Sequence, residues 1–423
     1  MRGNLEVFDD LRIRFPYGMM DMDNVKKREL GIYVHIPFCK SKCVYCDFLS
    51  FGGFGYSEHR AYTDAVCREI AAWQAVSEAY VVTSIFLGGG TPSYVEKELI
   101  VRVLAQIHSV FEVEKDAEIT IEGNPDSLKP DNLKAYRKSG INRLSIGLQS
   151  ANDKVLASLN RVHNYDQFTE AFYSARQSGF GNINVDIMSG LPGEGEKSYM
   201  ETLKRAAGLS PEHISAYSLI VEKGTPLSAN HALLNLLPSE EEDREMYTKT
   251  KRLLENSGYS RYEISNYARD GFECRHNIGY WTGREYLGVG LGASSYLKVY
   301  TENEECKALR FKGMDNLDMY IEGFSGCGGM NDLMSFIADY YSDLYFLKPE
   351  DLMEEFMFLG LRMMNGISKE TFRKQFNVAI ENIYGKIIDK YIENGLLKQQ
   401  DDRICLTDRG IDVSNVVMAE FIL

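Results

Sequence analysis

The sequence predicts an α/β protein: a partial (β/α)6 barrel, an additional α+β region and a C-terminal winged-helix-like domain. Short β-rich runs alternate with amphipathic helical stretches over the first half, which is typical of a parallel sheet covered by helices. Irregular segments rich in glycine and serine follow, and the last part combines helices with a hairpin. We therefore divide the chain into an N-terminal extension (1–30), a barrel core (31–235), the α+β region (236–348) and the C-terminal domain (349–423).

Six strands and five helices make up the predicted barrel core. The strands are predicted at 32–35, 84–87, 118–122, 143–146, 182–187 and 214–219. The helices are predicted at 59–73, 96–111, 130–139, 165–178 and 196–209. Ligands bind at the carboxyl ends of parallel strands, so the residues that follow each strand are the first candidates for a site.

Local signals predict the elements of the second half. Ser239 followed by acidic residues is a helix start, so a helix is predicted at 239–256. In the C-terminal domain, two or three helices precede a β-hairpin at 399–404. The remaining segments are predicted as strand or loop (262–267 and 286–296) and as loop (323–330).

Composition excludes several classes of protein. The 423 residues are 44% hydrophobic and 26% charged, as in a globular protein and unlike a disordered or collagen-like chain. A net charge of −14, and of −4 over residues 350–423, argues against nucleic-acid binding. No apolar run reaches the roughly 18 residues of a membrane span, and the first 30 residues lack the apolar stretch of a signal peptide. We therefore expect a cytoplasmic protein.

Three of the eight cysteines lie close together after the first predicted strand. Cys39, Cys43 and Cys46 form a C-x3-C-x2-C pattern. Thiolates spaced in this way suit an iron–sulfur cluster, and three of them leave one iron of a four-iron cluster open to a ligand. A zinc site normally has four protein ligands, and the fourth would then be Asp47 or His35. A structural protein stabilised by zinc or by a cluster is the simplest alternative.

The cysteine loop resembles that of radical S-adenosylmethionine (SAM) enzymes, in which a [4Fe-4S] cluster binds SAM at its open iron. The string FLGGGTP at 86–92 resembles the GGTP motif of that superfamily, which holds the amino group of SAM. We expect Glu122, Gln149 and Asp186 at the ends of three successive strands. The resemblance implies a SAM site formed by Tyr33, Tyr45, Gly89, Gly90, Thr91, Glu122, Gln149, Arg161 and Asp186. It assigns no catalytic residue beyond the cluster site.

The strings YVHIPFC, FLGGGTPS, RLSIGLQS, NVDIMSGLPG and YEISNYA resemble the oxygen-independent coproporphyrinogen III oxidase-like family, and within it the haem-chaperone branch. The oxidases have a fourth cysteine two positions after the third, where this chain has Phe48. The string HNIGYW resembles the haem-binding motif H-N-x-x-Y-W of the chaperones. The resemblance implies that His276, Tyr280 and Trp281 bind haem, with Cys274 as a candidate second ligand.

The resemblance implies a haem chaperone that binds a [4Fe-4S] cluster, SAM and haem. Its expected partners are acceptor haemoproteins, including membrane-bound ones that would draw it to the membrane periphery, and a reductant such as flavodoxin or ferredoxin. The sequence leaves the choice between a monomer and a homodimer open, and nucleic acid is not an expected partner. The alternative is a radical SAM enzyme acting on a tetrapyrrole, either a coproporphyrinogen III dehydrogenase of porphyrin biosynthesis or an anaerobic haem-degrading methyltransferase. Phe48 argues against the dehydrogenase.

Overall fold

The structure, a computed structural model, describes residues 13–14, 27–301, 306–330 and 332–423. These residues form two compact units, each assembled from separate stretches of chain. Unit 1 consists of the described chain up to Ile146, Asn160–Gly181 and Arg284–Leu347. Unit 2 consists of Gly147–Leu159, Asn182–Gly283 and Lys348–Leu423.

Strands and helices are numbered in chain order. The strands are β1 (Ile13–Arg14), β2 (Arg28–Ile36), β3 (Phe38–Cys39), β4 (Phe51–Gly52), β5 (Tyr80–Gly89), β6 (Glu112–Gly123), β7 (Arg143–Gln149), β8 (Ile183–Ser189), β9 (His213–Ser218), β10 (Ser260–Arg261), β11 (Asn266–Ala268), β12 (Tyr286–Val289), β13 (Ser294–Thr301), β14 (Cys306–Gly313), β15 (Tyr341–Leu347), β16 (Ile367–Ser368), β17 (Leu397–Gln400) and β18 (Arg403–Leu406). The helices are α1 (Tyr56–Ala72), α2 (Gln74–Ser77), α3 (Lys97–Val110), α4 (Pro130–Lys138), α5 (Asp153–Ser158), α6 (Tyr165–Gln177), α7 (Glu196–Gly208), α8 (His231–Leu234), α9 (Glu240–Asn256), α10 (Arg275–Trp281), α11 (Leu317–Ser325), α12 (Leu333–Tyr340), α13 (Pro349–Gly360), α14 (Lys369–Phe376), α15 (Ile380–Glu393), α16 (Asp408–Asp412) and α17 (Ser414–Ala419).

A mixed sheet is the centre of unit 1, with strand order β7–β6–β5–β2–β12–β13–β14–β15. Neighbours are parallel from β7 to β12 and antiparallel from β12 to β15. Tyr33 lies opposite Phe86, and Phe86 lies opposite Thr120. Strand β5 is nearly continuously buried, as expected of a parallel strand covered on both faces. The carboxyl ends of β2, β5 and β6 therefore meet at one edge, as the predicted α/β fold requires.

In unit 2, β8 and β9 are parallel, whereas β9, β11 and β10 pair antiparallel. Helices α7 and α9 pack against each other. Helix α9 begins as predicted, because the Ser239 hydroxyl accepts a hydrogen bond from the Glu242 N–H (3.3 Å) and the Glu242 carboxylate accepts one from the Ser239 N–H (2.8 Å). This reciprocal capping box satisfies two backbone donors at the start of the helix.

The C-terminal part of unit 2 agrees with the predicted winged-helix-like arrangement. Strands β16, β18 and β17 form a small antiparallel sheet, in which β17 and β18 are the predicted hairpin. Helices α13, α14 and α15 contribute Met357, Phe372 and Tyr384 to one buried cluster, to which the hairpin adds Leu397 and Ile404. A hydrophobic core of this kind is what folds the segment around its hairpin.

Two expectations from the sequence differ from the structure, and one element was not predicted. Asp186 lies within β8 rather than at its end, because the strand continues to Ser189. The loop expected at 323–330 begins as helix, since α11 runs to Ser325 with Phe324 buried on its inner face. The segment 286–296, predicted as strand or loop, agrees with its strand alternative and contributes to the antiparallel strands β12 and β13. A short helix, α5, capped by Asn152, follows β7 without having been predicted.

The longest helices of the described ranges, α1 and α9, have 17 residues each. None of the helices in those ranges combines the length and the apolar character that crossing a bilayer demands.

Candidate functional site

The three clustered cysteines lie on one loop of unit 1, directly after β2. Cys39 is in β3, which pairs in parallel with β4 and so ties the loop's first part to its last. Cys39 is buried, whereas Cys43 and Cys46 are half-buried. The Cys46 N–H donates a hydrogen bond to the Cys43 carbonyl (3.2 Å). The loop therefore presents three thiols in graded exposure, the arrangement expected of ligands that receive a cofactor from outside.

A chain of side-chain hydrogen bonds joins two of these cysteines. The Thr91 hydroxyl donates to the Cys39 sulfur (3.5 Å) and accepts from the Asn124 amide (3.1 Å). The Asn124 carbonyl accepts from Arg161 (2.7 Å), whose other terminal nitrogen donates to the Cys43 sulfur (3.5 Å). Thr91 and Arg161 were singled out from the sequence, but Asn124 was not. Its place in the string EGNP, one residue after β6 ends, is the signal that could have identified it.

These donors favour the form of the cysteines that binds iron. Burial raises the pKa of the Cys39 and Cys46 thiols, so each would hold its proton without a metal. Iron binds the thiolate. Hydrogen bonds from Thr91 and Arg161 to sulfur stabilise the charged form. Burial thus favours the neutral thiols, and the hydrogen bonds to sulfur reduce the cost of forming the thiolates that a cluster would need.

The glycine turn after β5 is held against the start of the cysteine loop. Gly90 N–H donates to the Ile36 carbonyl and Thr91 N–H to the Phe38 carbonyl, both at 2.8 Å. A Cβ on Gly90 would lie 2.8 Å from the Phe38 oxygen. Gly89 has φ +109°, a conformation that favours glycine. The glycines are therefore required by close approach of two backbone segments, whether or not SAM is bound.

Glu122 and Tyr33 join the same region. The Glu122 carboxylate accepts a hydrogen bond from the Gly89 N–H (3.2 Å). The Tyr33 hydroxyl is 3.0 Å from Nδ1 of His35, whose Nε2 is 2.8 Å from the Leu49 carbonyl. Burial lowers the pKa of His35, which keeps the imidazole neutral. With both ring nitrogens hydrogen-bonded, His35 supports the loop and is not placed as a fourth metal ligand.

Tyr45 lies beside Arg161. Burial raises the pKa of the Tyr45 phenol. Burial also opposes the charge of Arg161, but Tyr45 and Cys43 outweigh it and raise the pKa of the guanidinium. A positive charge that persists next to the cysteine loop suits a carboxylate ligand. Unit 1 thus brings together the three cysteines and most of the predicted SAM-binding set, namely Tyr33, Tyr45, Gly89, Gly90, Thr91, Glu122 and Arg161.

The other two predicted SAM residues belong to unit 2. Gln149 is the last residue of β7 and has φ +68°, a left-handed conformation that is uncommon outside glycine. Asp186 accepts a hydrogen bond from the Asn184 amide (2.8 Å). The Asn184 carbonyl oxygen lies 2.6 Å from His213 Nδ1 and also accepts from the Ser215 hydroxyl (3.1 Å). Asp186 is therefore positioned by a buried polar network, which the sequence did not reveal.

This network extends to the segment that resembles a haem motif. His213 Nε2 is 2.8 Å from the Tyr262 hydroxyl, which accepts a hydrogen bond from the Cys274 backbone N–H (3.3 Å). Cys274 is fully buried and is the residue immediately before α10. Its sulfur is therefore enclosed in protein, and its backbone is fixed by Tyr262.

The motif itself forms helix α10. His276 and Tyr280 are one turn apart, so they share a helix face. His276 Nε2 is 2.9 Å from the Tyr280 hydroxyl, and the two rings meet edge to face with centroids 4.9 Å apart. His276 is 3% exposed. In this structure, Nε2 is therefore engaged by the Tyr280 hydroxyl. Trp281 ends the helix beneath the guanidinium of Arg362, which is 4.3 Å from the ring centroid.

Within the described ranges, no three His, Cys, Asp or Glu side chains converge on a point where one metal ion could bind. A four-iron cluster does not need such convergence, because each thiolate binds a different iron at a separate corner. The missing convergence therefore does not argue against a four-iron cluster on the loop with Cys39, Cys43 and Cys46.

Two stretches of the chain match known protein families. The Radical SAM superfamily matches residues 33–206, and the HemN C-terminal domain matches residues 347–413. The haem chaperone HemW of Bacillus subtilis (strain 168) is 33% identical over 92% of this chain and 98% of its own length. The haem chaperone HemW of Mycobacterium tuberculosis (strain ATCC 25618 / H37Rv) is 35% identical over 92% of this chain and 93% of its own. Among solved structures, the coproporphyrinogen III oxidase HemN from Escherichia coli, a radical SAM enzyme, has the same fold: the TM-score is 0.77 at 23% identity, covering 94% of this chain and 90% of that one.

Proposed function

We propose, from the premise that this chain belongs to the HemW family of radical SAM proteins, that it is a haem chaperone: it binds haem and delivers it to acceptor haemoproteins. Helix α10 carries this proposal. His276 supplies an imidazole, a common axial ligand of haem iron. Tyr280 and Trp281 supply flat apolar surfaces of the kind that a porphyrin packs against. Cys274, at the start of the helix, is the candidate second ligand.

The cysteine loop is proposed to hold a [4Fe-4S] cluster through Cys39, Cys43 and Cys46. When bound, the cluster supplies an iron with an open coordination position and an exchangeable electron. Thr91 and Arg161 hydrogen-bond the ligand sulfurs. The SAM site is proposed to consist of Tyr33, Tyr45, Gly89, Gly90, Thr91, Glu122, Gln149, Arg161 and Asp186. A positive Arg161 suits the carboxylate of SAM, and Glu122 suits its amino group.

Phe48 supports the chaperone over the oxidase. It stands where the oxidases have their fourth cysteine, and its side chain is 63% exposed, so it offers neither a thiolate nor a buried contact there. We therefore infer that coproporphyrinogen oxidation is absent. The cluster and SAM would then control haem transfer or dimerisation, with flavodoxin or ferredoxin as reductant. The protein is further proposed to be a cytoplasmic homodimer that binds membrane-bound acceptors.

The test follows the Soret absorbance of anaerobically reconstituted protein with haem, SAM and a strong reductant. A shifted band that persists supports the chaperone, whereas a band that forms and then bleaches means that haem is consumed and an enzyme is at work. His276→Ala should abolish the shifted band. His108→Ala, which removes an exposed histidine of α3, is the matched control and should leave it unchanged. Wild-type protein that gives no Soret shift would refute haem binding.

A further inference from the structure

Arg362 covers one side of the proposed haem site. Its guanidinium lies over the ring of Trp281, the last residue of α10. Arg362 itself follows α13, which contacts α10 within unit 2. The C-terminal part of the chain thus places a permanent positive charge against the aromatic end of the motif.

Two N–H donors in this stack have no acceptor among the residues that the structure describes. They are Trp281 Nε1 and Arg362 Nε, and both are shielded from solvent. A buried donor without a partner is uncommon and unfavourable. Arg362 has one side-chain acceptor, a Glu263 oxygen at 3.4 Å, which is long for a charge-assisted hydrogen bond. The stack therefore offers donors that its one named anion, Glu263, does not fully satisfy.

The backbone around Arg362 is fixed, so that a ligand would need to move only its side chain. Met364 N–H donates to the Tyr262 carbonyl (3.0 Å), and Met363 forms an antiparallel bridge with Glu263. The Arg362 side chain is 26% exposed. Its guanidinium can consequently turn from Trp281 toward an incoming group without unfolding the turn that carries it.

Glu263 takes its two shorter hydrogen bonds from donors other than Arg362, and both reach the same oxygen, Oε1. Its carboxylate is fully buried and accepts from the Ser265 N–H (2.7 Å) and the Asn266 amide (2.6 Å). Both of these hydrogen bonds are shorter than the contact from Arg362. The printed contact of Oε2 is with Nη2 of Arg362 (3.4 Å), so the guanidinium would meet a ligand through its other N–H groups while Nη2 stays beside the buried carboxylate.

We propose that Arg362 binds a propionate carboxylate of haem. The assignment rests on the proposed haem-binding function. The two propionates of haem are ionised at neutral pH, and a guanidinium can bind a carboxylate through two parallel hydrogen bonds. In a chain of net charge −14, such a dianion needs a local cation. Binding would replace the guanidinium over Trp281 by the porphyrin face and give Arg362 an anionic acceptor at closer range than Glu263.

The experiment compares haem with haem dimethyl ester, whose propionates carry no charge, by Soret titration of the full-length protein. We expect Arg362→Ala to weaken haem binding about tenfold or more, equivalent to about 1.4 kcal/mol or more, and to change ester binding less than about twofold. Arg362→Lys should recover part of the loss, because it keeps the charge without the planar fork. Arg269→Ala is the matched control, since Arg269 also stacks on an aromatic ring in unit 2, 4.9 Å from the Tyr259 centroid.

Each outcome decides between the two proposals. Equal affinity of the wild type for haem and its ester overturns the role of Arg362 and leaves haem binding intact. An equal loss of both ligands in Arg362→Ala has the same meaning, because a propionate contact cannot act on the ester. No Soret shift with haem in the wild type refutes the proposed function itself. The ester comparison in the wild type needs no substitution, so it holds even where a variant fails to fold.

Discussion

The backbone N–H of Cys274 donates a hydrogen bond to the hydroxyl of Tyr262, with nitrogen and oxygen 3.3 Å apart. Through that hydroxyl, the start of α10 is connected to His213, Asn184 and finally Asp186. Asn184 offers its carbonyl oxygen to Nδ1, so the imidazole carries its proton there and Nε2 accepts from Tyr262. A proposed SAM contact and a proposed haem helix thus share one buried polar chain.

Tyr262→Phe should reveal what this chain does. Removing the hydroxyl leaves the Cys274 N–H and His213 without their shared partner, which costs about 1–3 kcal/mol of unfolding free energy. Because the start of α10 loses an anchor, haem affinity should fall about threefold to tenfold in a Soret titration.

Tyr259→Phe is the control for that experiment. Its hydroxyl is also buried in unit 2 and donates to the Pro211 carbonyl (2.7 Å), away from α10. It should lower stability in urea unfolding by a similar amount and leave haem affinity unchanged. Equal haem affinity in both variants would refute the anchoring role of Tyr262.

Asn124→Ala should loosen the cysteine loop without removing a cluster ligand. Asn124 joins Thr91 to Arg161, and these two residues hydrogen-bond the sulfurs of Cys39 and Cys43. Hydrogen bonds to the residues that contact metal ligands commonly change metal affinity by about tenfold to a hundredfold. We expect the cluster to assemble but to lose iron to a chelator several-fold faster, followed by absorbance near 400 nm. Asn132→Ala, which removes a contact to the Ser127 carbonyl in the same unit, should match the wild type. An unchanged rate in Asn124→Ala would contradict the prediction.

Gly90→Ala tests the close approach between the glycine turn and the cysteine loop. The new methyl group would meet backbone, with the Phe38 oxygen at 2.8 Å, and backbone cannot rotate away as a side chain can. Strain of this kind typically costs about 1–3 kcal/mol, measurable as a lower urea midpoint. Gly181→Ala lies in open space with no atom within 4 Å and should change stability by less than about 0.5 kcal/mol. Equal midpoints for the two variants would show that the turn can shift.

Features that depend on residues close together in the chain could be predicted from the sequence. The three cysteines, the FLGGGTP turn and the alternation of strands and helices all arise from short spacings or from periodicity, and the structure contains them. Helix α10 was not predicted, because Asn277, Ile278 and Gly279 have low helix propensity. Its helical form depends on tertiary contacts, namely the Tyr262 anchor at its start and α13 alongside it.

Partners far apart in the chain could not be predicted from the sequence. Asn124 and Arg161 are 37 residues apart, and Arg362 and Glu263 are 99 apart. Each of these side chains alone is an ordinary polar residue, since nothing local distinguishes an asparagine that connects two cysteine contacts from one on the surface. The fold must first bring them together. The proposed roles of Asn124 and Arg362 therefore come from the structure, whereas those of Cys39 and His276 were already predicted from the sequence.

The buried carboxyl of Glu69 predicts a distinctive pH dependence. It accepts hydrogen bonds from the hydroxyls of Tyr320 and Tyr341 and from the Gly290 N–H, yet burial raises its pKa from 4.5 to about 7. Between these values the unfolded chain releases a proton that the folded protein keeps. The stabilisation is therefore complete below about pH 4.5 and is lost as the pH rises toward 7.

Glu69→Gln should remove this dependence, because the amide does not titrate. Comparing unfolding free energies of wild type and variant at several pH values from 5.5 to 8, we expect the wild type to lose stability relative to the variant as the pH rises to 7, and the two to run parallel above it. A pKa difference of this size corresponds to about 3 kcal/mol across the whole window. Glu98→Gln, which changes an exposed side chain of α3, is the control for the loss of one acidic group. Parallel curves for wild type and Glu69→Gln below pH 7 would mean that Glu69 ionises as readily in the folded protein as in the unfolded chain.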